Sequence, residues 1–89
     1  MLVLPSEVTH AQATACLRML VQGLHAQSGA EVRLDAAALR RFDSSALAVL
    51  LEFRRECLAR GKRLALRGLS ARLADLATLY GVAELLQPV

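Results

Sequence analysis

Nucleophiles and proton carriers are scarce in this chain, and the most suggestive of them sit side by side. Ser44 and Ser45 directly follow an aspartate in Phe42-Asp43-Ser44-Ser45-Ala46-Leu47. A serine reaction would need one of these hydroxyls, a base and an orienting group gathered in one cleft. Only His10 and His25 offer an imidazole. His10 falls at the start of a helical pattern and His25 near its end, where a cation simply complements the helix dipole. The chain has no G-x-S-x-G elbow, no glycine-rich phosphate loop and no H-E-x-x-H helix. Cys16 and Cys57 form no C-x-x-C pair and fall in separate helical patterns, so they read as reduced, buried small apolar residues. Four zinc donors cannot be assembled. No catalytic residue, cofactor or metal site is expected.

Spacing alone leaves two readings of Asp43-Ser44-Ser45. One is a plain helix N-cap, in which a side-chain oxygen accepts from a free backbone N–H. The other is a charge switch, because a phosphoryl group there would add about −1.5 to −2 charge at the positive end of a helix dipole.

The elements that would hold this corner are legible in the apolar pattern. The chain has 89 residues, of which 55% are hydrophobic, 21% charged and only 3% aromatic. That is one domain's worth of chain with an aliphatic core, too apolar for disorder. Leu2 to Leu4 make a short β-prone run ended by Pro5, and Ser6 to Thr9 read as a connector. Thr9 and Gln12 match a capping box ahead of a helix over His10 to Gln27, with Ala13, Leu17, Leu20, Val21 and Leu24 on one face and Ser28-Gly29 as its stop. Glu31 to Asp35 alternates as a strand. Ala36 to Phe42 resists classification. A second helix follows Asp43, with apolar stripes Leu47/Leu50/Leu51/Leu58 and Ala46/Val49/Phe53/Cys57 wide enough to pack on two sides, and Gly61 is placed for a left-handed cap. Lys62 to Arg67 reads as a strand closed by Gly68. Ser70 caps a third helix on which Leu69, Leu73, Leu76, Ala77 and Tyr80 line up, ended by Gly81. A short apolar tail, Val82 to Leu86, stops before Pro88. Such alternation predicts an α/β fold.

Several partner classes weaken on composition. No apolar run approaches the ~20 residues of a membrane span. The start meets Pro5 before any signal-peptide core could form, so no leader is expected. The net charge of +3 comes from ten arginines and one lysine against eight acids. Acids are interspersed among the arginines and no aromatic stacking platform accompanies them, so they read as a mixed solvated face or as contacts to an acidic protein, not as a nucleic-acid groove. Tyr80, the sole tyrosine, reads either as a core-edge residue with its hydroxyl in water or as an interface anchor.

Asp43-Ser44-Ser45 followed by Ala46-Leu47-Ala48-Val49-Leu50-Leu51-Glu52-Phe53 resembles the signature loop and helix of STAS domains, the family of the anti-sigma factor antagonists. Arg63 to Gly68 and Leu73 to Val82 match that family's next strand and helix in order and spacing. Ala77 to Tyr80 and the tail to Pro88 resemble the MlaB-like members, cytoplasmic subunits of an ABC transporter that moves phospholipid. The resemblance implies a STAS-like α/β domain over 1–89, with a small mixed sheet of three to five strands, about three helices mainly on one face and a curtailed N-terminal hairpin. It implies a non-catalytic protein that binds and regulates an ABC ATPase subunit, cytoplasmic and peripheral to the inner membrane through that partner. The alternative it carries is an anti-sigma factor antagonist acted on by a kinase. The family's phosphorylatable or partner-contacting hydroxyl falls on Ser44, and the interface is expected at Asp43, Ser44, Ser45 and Tyr80. The family's usual glycine two places after that hydroxyl is Ala46 here. Direct membrane insertion is not expected; a homodimer is compatible with the pattern.

Overall fold

The computed structural model describes residues 1–86. Strands β1 (Leu2–Val3) and β2 (Glu7–Val8) lead into helix α1 (Ala13–His25), then come β3 (Glu31–Asp35), β4 (Arg41–Phe42), α2 (Ser44–Ala59), β5 (Arg63–Arg67), α3 (Ala71–Leu79) and a 3₁₀ turn at Ala83–Leu86. A three-stranded sheet runs in the order β1-β3-β5, and β2 pairs with β4 separately. The α/β architecture with three helices is the one expected. One detail differs: every described ladder is parallel, not mixed. Parallel neighbours need a long crossover, and α1 and α2 supply it between β1, β3 and β5.

Alternation along β3 explains how the sheet finds its core. Val32 and Leu34 are buried while Glu31, Arg33 and Asp35 stay at the surface. Leu34 pairs in register with Leu2 on one side and Leu66 on the other. Cys16, Leu20 and Leu24 of α1, Leu47, Leu50, Phe53 and Cys57 of α2, and Leu73 and Ala77 of α3 join them in one cluster. Phe53 is the only aromatic ring fully buried among the described residues, so packing rests on branched aliphatics, as the composition implies. On α2 the stripe through Ala46, Val49, Phe53 and Cys57 is buried, whereas its neighbour turns outward at Leu58. On the far side of the sheet the Glu31 carboxylate accepts from Arg33 (3.2 Å) and Arg63 (2.7 Å), ion pairs too exposed to contribute much.

Local sequence differs from expectation near the N-terminus. The stretch expected to be a connector contains β2, whose Glu7 and Val8 pair with Arg41 and Phe42. The curtailed hairpin is therefore two short strands that pair elsewhere and not with each other. The capping-box residues make a turn instead of a helix start: the Gln12 side chain accepts from both the N–H and the hydroxyl of Thr9. The Thr9 hydroxyl accepts from no helix N–H, and α1 begins at Ala13 after Gln12, without a side-chain cap. Gly29 has no left-handed backbone, and α1 instead closes on bonds from Ala26 and Gln27 N–H to Gly23 and Leu24 carbonyls. Gly61 does take the left-handed form, at φ +70°. Gly68 is at φ +74°, and a Cβ there would come within 2.8 Å of the Ala37 nitrogen. Only glycine fits that approach of the β5 exit to the β3 exit. The expected stop at Pro88 lies outside the described residues.

Candidate functional site

Three short-range interactions build the Asp43 corner. The β2–β4 ladder, with Arg41 Nε 3.5 Å from the Glu7 carboxylate, delivers the chain to α2 beside the turn that carries His10. Asp43 then serves as N-cap with extended backbone, its Oδ1 accepting from Ser45 N–H at 2.8 Å. Its Oδ2 accepts from His10 N–H at 3.1 Å. The cap thus ties the α2 entrance to the segment before α1 as well as satisfying a free helix donor. The Ser45 N–H, and behind it that of His10, hold the Asp43 carboxyl below the usual carboxylate range.

Ser44 follows as the first helical residue and is exposed; Ser45 is half-buried. Ala46 is only 1% exposed, so the methyl that stands where the family pattern has glycine packs inward, away from any approaching surface. No imidazole hydrogen-bonds either hydroxyl among the described residues; His10 meets the corner through its backbone, and His25 contacts the Arg60 guanidinium at the other end of α2. Burial pushes the thiols of Cys16 and Cys57 up, leaving both protonated and unreactive, and both are free. Among the described residues no group of three or more His, Cys, Asp or Glu could hold a metal ion, and no helix is long and apolar enough to cross a membrane.

An open groove of about 630 Å³ lies between the α2 entrance and α3, lined by Phe42, Asp43, Ser44, Arg72, Asp75, Leu76, Leu79 and Tyr80. Three of the four residues singled out in the sequence, Asp43, Ser44 and Tyr80, therefore share one depression, although Tyr80 lies 36 positions after Ser44. Ser45 does not line it. Tyr80 is also not part of the α3 core stripe: Leu73 and Ala77 are buried, Leu76 is half-buried, and Tyr80 caps the helix at 55% exposure. Ser70 caps the other end of α3 through Leu73 N–H, as expected.

Sequence reasoning passed over Arg72, Asp75 and Leu79 as lining residues. Their signal was present: positions 72, 75, 76 and 79 recur at the spacing of one helix face, a face distinct from that of Leu73 and Ala77. Phe42 gave no such signal, because its place depends on the β2–β4 pairing.

The family model for the Mlab, STAS domain matches residues 1–87. No curated protein matches the chain at a significant level.

Proposed function

The chain belongs to the STAS domain family, in its MlaB-like form, and from that premise we propose that it binds and regulates the cytoplasmic ATPase subunit of a phospholipid-transporting ABC system without catalysing a reaction itself. The observation that carries this reading is the convergence of Asp43, Ser44 and Tyr80 on one exposed groove. The hydroxyl corner offers hydrogen bonds, Leu79 and Tyr80 offer apolar area, and the carboxylate that fixes the corner is already spent on Ser45 and His10. That combination suits a protein interface with a polar part and an anchoring aromatic. Any nucleotide would belong to the partner, and attachment to the inner membrane would run through it.

The test is co-expression with an ABC ATPase subunit from the same organism, followed by a binding titration. Ser44→Glu should weaken capture roughly tenfold or more, by placing an unmatched carboxylate in the contact. Its thermal midpoint should stay nearly that of the parent, since negative charge is favourable at a helix start. Undiminished capture by the variant would remove this surface from the interface.

The exposure of Ser44 at the first turn of α2 also suits an anti-sigma factor antagonist, in which a kinase modifies that hydroxyl. Incubation with ATP and candidate anti-sigma factor kinases, then mass mapping, separates the readings: stoichiometric phosphate on Ser44 favours the switch.

A further inference from the structure

Helix α3 is lightly anchored. Leu73 and Ala77 are its only buried side chains. Its hydrogen bonds stay within the helix or close on the turns at its ends: Leu73 N–H donates to the Ser70 hydroxyl, Gly81 N–H to the Thr78 carbonyl and Val82 N–H to that of Ala77. Among the described residues no hydrogen bond or ion pair crosses from α3 to β4 or to the α2 entrance. Apolar burial is non-directional, so two buried aliphatic side chains alone would let the helix roll. The groove nevertheless depends on the angle of α3, because Asp43 and Ser44 line one wall and Leu79 and Tyr80 the other.

One directional contact does span the two among these residues. The Arg72 guanidinium, in the first turn of α3, stands 5.2 Å from the centre of the Phe42 ring, inside the ~6 Å reach of a cation–π pair. Phe42 is half-buried, and its backbone is pinned by the parallel ladder to Val8, which is wholly buried. It directly precedes the Asp43 cap. Asp75, one turn along α3, is not within ion-pair distance of Arg72, so the guanidinium lies on the ring and not along its own helix. Tyr80 is eight residues further on, about 12 Å down the axis, so a small turn of α3 displaces it from Ser44.

We infer that Arg72 is a positioning residue: stacked on Phe42, it fixes the angle of α3 against the α2 entrance and so sets the spacing of Ser44 from Tyr80. This role rests on the interface reading above and names the side chain that gives that interface its shape. Arg72 acts through the Phe42 ring and requires no particular charge on the partner.

The experiment compares Arg72→Met, Phe42→Leu, Phe42→Tyr and the double variant Arg72→Met with Phe42→Leu, first as the chain alone. Amide exchange across α3 should quicken roughly two- to fivefold in Arg72→Met and in Phe42→Leu, the loss of one exposed cation–π pair, while β3 exchanges as in the parent. Phe42→Tyr keeps a ring and should keep the parent rate. Ring-current shifts on the Arg72 side chain should vanish in Phe42→Leu. Titration with the ATPase subunit should show a similar two- to fivefold loss in each of Arg72→Met and Phe42→Leu. The double variant should lose no more than Phe42→Leu alone, because the two side chains act through one contact. A further loss on adding Arg72→Met to Phe42→Leu would mean that Arg72 touches the partner itself, and would overturn the positioning role. Unchanged α3 exchange and unshifted Arg72 protons would overturn it without bearing on the interface. If exchange quickens but capture holds in these variants while Ser44→Glu loses it, the role is overturned and the interface stands. If Ser44→Glu also binds as the parent does, the interface reading fails, and quickened α3 exchange still supports Arg72 as the residue that places this helix.

Discussion

The two ends of α2 are about 24 Å apart and treat their polar groups in opposite ways. At the C-terminal end everything is used internally. Gly61 N–H donates to the Leu58 carbonyl and Lys62 N–H to that of Cys57, the paired bonds of a Schellman close. Lys62, the chain's one lysine, donates its Nζ to the carbonyls of Gln27 and Gly29, which pins the exit of α1 to the exit of α2. Arg60 reaches His25 of α1. At the N-terminal end Asp43 makes the cap, and beyond it Ser44, Arg72, Leu79 and Tyr80 are left facing water. Side chains satisfied within the molecule explain how it stands; those left facing water at the other end line the surface proposed for the partner.

Substitutions can test whether the two ends separate so cleanly. The largest effect is expected from Gly61→Val at the closed end. A β-branched residue at φ +70° is strained even in open space, and the cost should be about 2 kcal/mol, lowering the melting midpoint by roughly 10 °C. Capture of the ATPase subunit by the folded fraction should not change. Lys62→Met should cost less, about 1 kcal/mol, through two lost carbonyl contacts. Hydrogen exchange of the α1–β3 turn should rise in that variant while the groove keeps its protection. Weaker partner binding in either variant would show that the ends are coupled.

The smallest effect concerns acid. The Asp43 carboxyl lies below its ordinary value of about 3.9 in the folded chain, so the unfolded chain binds the more protons near that pH. Its contribution is present above about pH 4 and fades as pH falls through the folded value. Asn caps a helix comparably but does not titrate there. Asp43→Asn should therefore melt with a shallower acid limb than the parent and close to it at neutral pH. A residual limb should remain from Glu31, which its bonds to Arg63 and then Arg33 also hold below the usual range. Superimposable acid limbs would mean that the Asp43 bonds do not persist in solution.

Much of this arrangement is readable before folding because the chemistry is local. Asp43 and Ser70 cap the helices that follow them through bonds spanning two or three residues. The strand at 31–35 shows in its alternation, and the one at 63–67 as a short apolar run between two arginines. What escapes depends on distant pairing: Glu7–Val8 is a strand only because Arg41–Phe42 lies beside it. The Thr9–Gln12 pattern misleads for a different reason: the Gln12 side chain does reach the Thr9 N–H, but the Thr9 hydroxyl turns to that side chain and accepts from no helix N–H. Grouping Tyr80 with Leu73 and Ala77 overextends one stripe of α3, because a helix of nine residues can carry two faces that a single periodicity merges. The Asp43–Ser44 corner was thus legible as a cap, while the groove around it required the fold.

Tyr80 has a practical corollary. The chain contains a single tyrosine and no tryptophan, so practically all of its near-ultraviolet emission originates at the rim of that groove. Any companion lacking strong fluorophores of its own would announce its arrival there as a change in the chain's native luminescence, with no dye attached and no residue replaced.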